Sequence, residues 1–231
     1  VRLEGEVEFD ADEVSVARLA PDARIRIEED DGRTERYLEI RPGSGGAPSF
    51  EYRVDRRAAA FDGPAQAWYR AVMVQLFRRA GFAAEERVGA LLQRGGVEAV
   101  LQELGQIESS FVFSKYTSSL LEQARLEEAE LRALVRASAR RVDSDHYMAE
   151  ILSAVADHQP LTGGMLDDFI AASETLDSDH YRAQVLGRVL SEGRLSTAQA
   201  SAVLASAAGL DSDQELDTLA QPTPHPVAVR S

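Results

Sequence analysis

Two identical tetrads hold the densest chemistry in the chain: Asp143-Ser144-Asp145-His146 and Asp177-Ser178-Asp179-His180. Two carboxylates and an imidazole within four positions could serve a hard divalent cation. Neither tetrad carries the glycine or the distal glutamate of a calcium loop. A second reading accounts for the same residues. Serine followed by aspartate, just ahead of an apolar-periodic run, is a helix start. The hydroxyl accepts an orphan N–H, and the carboxylate meets the positive end of the helix dipole. Capping uses both acids, so neither a metal nor a cofactor is expected. His146 and His180 then become exposed first-turn side chains; a pH-sensitive pair one unit apart is the alternative.

Other chemistry is sparse. There are no cysteines, which excludes disulfides, thiolate metal sites and a cysteine nucleophile. No Ser-His-Asp set has a distinctive context, and no paired-carboxylate motif stands out. The glycine-rich stretch 42–48, "PGSGGAP", lacks the Lys-Ser/Thr of a phosphate loop and lies between two strand-like segments, so it reads as a long hairpin loop. The expectation is a protein that is not an enzyme.

The tetrads belong to a longer recurrence. Ile107-Glu-Ser-Ser-Phe111, Val142-Asp-Ser-Asp-His146, Leu176-Asp-Ser-Asp-His180 and Leu210-Asp-Ser-Asp-Gln214 follow one another at intervals of 35, 34 and 34 residues. A period of this length points to stacked helix pairs, each too small to bury its apolar face alone. The caps of the units are Ser144, Ser178 and Ser212, with Asp145, Asp179 and Asp213 in the first turns. The helices continue with apolar stripes, Tyr147, Ile151, Leu152 and Val155 in one and Tyr181, Val185, Leu186 and Val189 in the next. Ser196 or Thr197 caps a second helix. The unit at 107 is degenerate, with Ser110 in place of the acid and Phe111 in place of histidine. The length resembles a tetratricopeptide repeat, but the Trp, Leu-Gly and Tyr marks of that motif are missing.

Upstream of residue 60 the period is two. Segments 2–9, 13–19, 23–29, 35–42 and 49–55 alternate apolar and charged residues between turn-rich clusters, the signature of an antiparallel sheet covered on one side. From Pro64 the period becomes helical. Trp68, Val72, Leu76 and Phe77 form a stripe, with Asp62 as cap and Gly81 as stop. Further helices are read at 83–96 and 97–106. The predicted fold is α+β. A small antiparallel β domain covers 1–60. A helical-hairpin repeat of about ten helices, α-solenoid-like with a period near 34 residues, covers 61–219, with units starting near 107, 142, 176 and 210. The Pro-rich stretch 220–231 is expected to be a disordered tail.

The net charge of −14 is uneven, with 14 acidic and four basic residues from 142 onward. Such a region repels phosphate backbones, so nucleic acid is excluded as its partner. A basic protein partner or a solubilising acidic face would each explain it. No run of about 18 apolar residues suggests a membrane span. The first residue is Val, read as a processed form or an excised segment. The absence of cysteine fits a periplasmic or other extracytoplasmic location, with the cytoplasm as the alternative. Aromatic residues are concentrated at Trp68-Tyr69 and around Phe111 and Phe113, as core or as anchors. The candidate partner contacts are Trp68, Tyr69, Phe111, Phe113, His146 and His180.

The segment "GEVEFDADEVSVARLAPDARIRIEEDDGRTERYLEI", followed by helices with "LDSD"-type starts, resembles the region downstream of the peptidase part in bacterial BlaR-type membrane metallopeptidases. The resemblance spans residues 5–219. The zinc motif His-Glu-x-x-His of that family is absent, so no catalytic residue carries over. The resemblance implies a sensor or accessory region of a bacterial envelope protein. The expected function is a non-enzymatic module for binding a protein or peptide partner. A small-ligand sensor with a pocket at the sheet–helix junction near 60–80 is the alternative.

Overall fold

Glycine decides how the chain begins. Gly5 has φ +73°, and a Cβ there would lie 2.7 Å from the Ala23 Cα. Both the conformation and the close approach need glycine. The single strand expected over 2–9 is therefore two, β1 (Arg2–Glu4) and β2 (Val7–Phe9), which join different sheets. The computed structural model describes residues 1–9, 14–161, 163–191 and 195–208. The chain divides into two compact units, Val1–Ala90 and Leu91–Ser231.

In the first unit, β3 (Val16–Leu19) pairs with β2 as a two-stranded sheet. β4 (Arg24–Asp30), β5 (Glu35–Pro42), β6 (Pro48–Val54) and β7 (Arg57–Ala58) complete an antiparallel sheet in the order β1-β4-β5-β6-β7. The β4–β5 turn is tied by the Asp31 carboxylate, which accepts from the N–H groups of Arg33 at 2.9 Å and Thr34 at 2.8 Å. These bonds, Arg33 first, hold the Asp31 carboxyl below its ordinary pKa. The glycine-rich loop closes β5 to β6 through a short 3₁₀ turn, Ser44–Gly46.

Period two sends β5 side chains to opposite faces. Leu38 and Ile40 enter the core, which also holds Ile25, Ile27 and Tyr52. α1 (Gly63–Ala80) packs Ala65, Tyr69, Met73 and Phe77 into that core. This stripe lies one residue round from the expected one; Trp68, Val72 and Leu76 are only partly buried against it. Packing of α1 on the sheet explains why the first unit runs past the change of period at residue 60. Gly81 ends α1 in the left-handed conformation, donating its N–H to the Phe77 carbonyl. Asp62 stands at the cap position, but its side chain makes no capping bond.

Glu39 projects from the other face of β5 and is only 2% exposed. Arg24 at 3.6 Å, Arg26 at 3.4 Å and Arg41 at 2.5 Å cover it. Burial alone would raise the carboxyl pKa. Hydrogen bonds from Arg41, Tyr37 and Arg26 outweigh it and hold Glu39 below the ordinary glutamate value.

α2 (Ala84–Leu104) is interrupted at Gly95 and Gly96, the latter at φ +65° and ψ −161°. The Gly pair makes the break that the sequence predicts between helices at 83–96 and 97–106. The second unit continues as α3 (Ser110–Gln123), α4 (Glu128–Arg141), α5 (Asp145–His158), α6 (Gly164–Ser173), α7 (Asp179–Ser191) and α8 (Thr197–Ala207). Eight α-helices are found among the described residues, α2 holding the two expected on either side of the Gly pair; the helix expected from 210 lies outside the described residues, and none of the eight is long and apolar enough to cross a membrane. α3 packs on α5 and α5 on α7, while α4 packs on α6 and α6 on α8. Leu120, Leu134, Ile151, Leu152, Phe169 and Leu186 are fully buried.

Polar ties follow the same stacking. Arg132 and Arg136 on α4 both bind Asp168 on α6, at 2.6 and 2.9 Å. Burial pushes the Asp168 carboxyl up, and the bonds from Arg132 and Arg136 more than reverse it, leaving a lowered pKa. Arg188 on α7 grips Asp157 on α5. Gly164 leaves the room Arg132 needs, because a Cβ there would sit 2.9 Å from the guanidinium carbon.

Candidate functional site

The helix starts carry the feature that the packing does not consume. Ser109 caps α3, its oxygen accepting from the Val112 N–H at 3.4 Å. Ser144 occupies the same position before α5, yet its side chain makes no capping bond. The Ser178 carbonyl accepts from the Arg182 N–H as α7 begins. Ser212 and Asp213 lie outside the described residues. Ser196 does cap α8, in a reciprocal box with Gln199.

Asp145 and Asp179 lie in first turns as expected. Asp145 has a further task. Its two oxygens accept the backbone N–H groups of Asp177 at 3.3 Å and Ser178 at 2.7 Å, in the next unit. Ser110, the equivalent position one unit earlier, accepts from the Asp143 N–H at 3.2 Å and donates to the Asp143 carboxylate at 2.5 Å. The fourth residue of a unit thus pins the start of the following one. Among the described residues, no three of His, Asp and Glu are grouped to hold a metal ion.

These pins hold a row of rings in register. Phe111, 38% exposed, lies 5.7 Å from the Tyr147 ring. Tyr147 lies 5.0 Å from its neighbour His146. His146 reaches the next unit, 6.0 Å from the Tyr181 ring and 3.5 Å from the Tyr181 hydroxyl. Tyr181 then meets His180 at 5.4 Å. Five rings from the starts of α3, α5 and α7 form one continuous aromatic ridge. His146 and His180 are exposed, and Tyr147 and Tyr181 half-buried. The Lys115 ammonium sits over the Phe111 face, 5.1 Å from its centroid. Glu150 accepts from Ser114 at 3.1 Å and lies 3.4 Å from the His146 Nε2.

The six expected partner contacts divide evenly. Phe111, His146 and His180 are on the ridge. Phe113 is buried in the second unit at 1% exposure. Tyr69 is buried in the first, its hydroxyl donating to the Val14 carbonyl at 2.7 Å. Trp68 is half-buried, with its indole N–H donating to Glu29 at 2.6 Å. Phe113 and Tyr69 are thus core rings, whereas Trp68 keeps part of its surface in water. Near the junction of sheet and α1, Trp68 lies 5.7 Å from Tyr52, and Phe61 lies 6.0 Å from Tyr69.

Sequence reasoning assigned Tyr147 and Tyr181 to the apolar stripe, where they are half-buried, and missed their place in the row of rings. Their position beside an exposed histidine in two successive units was the available signal. The ridge offers flat, amphipathic faces on fixed helix ends, which suits binding. No protein-family model, no curated protein and no solved structure matches the chain.

Proposed function

We propose that the second unit is an α-solenoid-like helical repeat, with a period near 34 residues, that acts as a non-enzymatic scaffold and binds an extended segment of a protein partner along the aromatic ridge. One observation carries this reading. Five rings from three successive helix starts are aligned at centroid distances of 5.0 to 6.0 Å and left at the surface. Core packing does not need exposed rings, and Tyr-rich rigid surfaces bind with little loss of side-chain entropy. The ties between residues 31 to 36 positions apart support the repeat itself. On the resemblance of residues 5–219, the module belongs to the sensor or accessory part of a bacterial envelope signalling protein.

The test is selection of displayed random dodecapeptides on the full chain, with counter-assay on a Tyr147→Ser/Tyr181→Ser variant of unchanged circular dichroism. The reading expects enriched peptides that lose at least about tenfold in affinity on the variant, the effect of removing a hot spot of about 1.4 kcal/mol. Peptides that bind both proteins alike, or no enrichment at all, would overturn it.

A further inference from the structure

The ridge has a polarity that specifies its occupant. Each of three successive stretches places an exposed acid at its second position, Glu108, Asp143 and Asp177, three or four residues ahead of a ridge ring, exposed Phe111 or half-buried Tyr147 and Tyr181. Aromatic faces beside carboxylates attract cations, since the ring quadrupole and the charge act in the same direction. The chain demonstrates this on itself. Its one lysine, Lys115, lies over the Phe111 ring. At the positions equivalent to Phe111 and Lys115 the next stretches carry His146 with Glu150 and His180 with Gln184. The first stretch thus supplies its own cation, while the later two, each with a tyrosine beside its histidine, carry none at that position.

We infer that the ridge takes a basic peptide in an extended polyproline-like conformation, with two arginines or lysines three residues apart, one on Tyr147 and one on Tyr181. The inference rests on the ridge reading above. The spacing follows from geometry. Neighbouring packed helices lie about 8–10 Å apart. A polyproline II helix repeats every three residues and rises about 9.3 Å in that turn. Side chains at i and i+3 therefore reach successive units from one face of the peptide. Asp143, whose carboxylate accepts from Ser110, and Asp177 lie 34 residues apart, each four residues ahead of its tyrosine, and would supply the negative charge for the cationic heads.

The probe is the labelled peptide Gly-Ser-Arg-Pro-Pro-Arg-Ser-Gly, measured by fluorescence anisotropy on the full chain. Controls are the same peptide with citrulline for both arginines, which keeps shape and loses charge, and Gly-Ser-Pro-Arg-Arg-Pro-Ser-Gly, which keeps charge and loses spacing. The Arg-Pro-Pro-Arg peptide should bind best. Tyr147→Leu should weaken it about threefold to fivefold, and Tyr147→Phe should restore it, because the ring face supplies the attraction. Asp177→Asn should weaken it as well. Equal binding of the citrulline peptide overturns the inference. So does binding of the arginine peptide that ignores Tyr147→Leu, since that is attraction to the bulk charge of an acidic chain. Selected dodecapeptides that need Tyr147 and Tyr181 but carry no Arg or Lys would leave the ridge reading standing and remove the cationic partner. Loss of both results would remove the ridge reading itself.

Discussion

The two units differ in how their aromatic rings meet. In the first, most rings join one cluster around the sheet and α1, with Phe50 and Phe82 partly in water. Phe9 meets Phe77 edge-on at 5.4 Å, Tyr52 meets Trp68 at 5.7 Å, and Phe77 is 1% exposed. In the second, Phe113, Tyr116 and Phe169 are buried with the aliphatic stripes, and five further rings form a partly exposed row at the helix starts. A small sheet with one helix has little apolar area to bury, so it seals bulky side chains into its interior, where each contributes most. A stack of helices draws most of its core from leucine, isoleucine and valine, buries three rings among them, and sets five more along its helix starts.

The largest expected effect tests that division directly. Phe77→Ala should cost about 3–5 kcal/mol, as a buried ring truncation does. Phe111→Ala should cost under about 1 kcal/mol, because much of the ring is already in water. Trp68 is the chain's one tryptophan and lies in the first unit, so its fluorescence follows that unit in a urea titration, while far-UV dichroism follows the helices. Phe77→Ala should move the fluorescence midpoint strongly. Equal costs for the two substitutions would end the division.

Charge sharpens the comparison at intermediate size. The first unit keeps a carboxylate, Glu39, beneath three arginines, with its pKa below the ordinary 4.5. A depressed carboxylate contributes stability that is complete above its unfolded value and is lost as pH falls through the folded one. Glu39→Gln should therefore cost about 1.5–3 kcal/mol at neutral pH, the worth of hydrogen bonds to a charged group. Its stability curve should be flatter than the parent's below pH 4.5, and the two should converge in acid. Parallel curves across that range would show that Glu39 is not held in its charged form by these arginines.

How much of this was legible in the sequence depends on what each residue's task is measured against. Tasks defined along the chain were readable. The strand period, the turn at Asp31-Gly32, the stop at Gly81 and the break at Gly95-Gly96 all follow from local backbone chemistry. Tasks defined by a neighbour in space were not. Gly5 separates two strands because Ala23 comes within 2.7 Å of where its Cβ would be, and nothing local announces Ala23. Asp145 reads as a first-turn acid, and its bonds to the Asp177 and Ser178 backbone become visible only when the units stack. The surface ring pairs hid for the same reason. Helical period gives the face a residue occupies on its own helix, whereas exposure at a helix start depends on the next helix.

The smallest effect separates two serines that the sequence treats as equals. Ser109 and Ser144 each precede a helix, but only Ser109 accepts a backbone N–H from its own first turn. Ser109→Ala should therefore cost about 1 kcal/mol, within the usual 0.5–2 for a lost cap. Ser144→Ala should stay within about 0.5 kcal/mol of the parent, as substitutions away from such bonds do. Far-UV dichroism in urea resolves the difference, because both helices belong to the second unit. The outcome bears on the division between units as well as on the caps. If Ser144→Ala costs as much as Ser109→Ala, then α5 depends on its own cap, and the bonds from one unit to the next are not what fixes the helix starts. The register of His146 and Tyr147 on the ridge would then be set locally. If Ser144→Ala is neutral and Asp145→Asn is not, the ridge is aligned by the stacking of units.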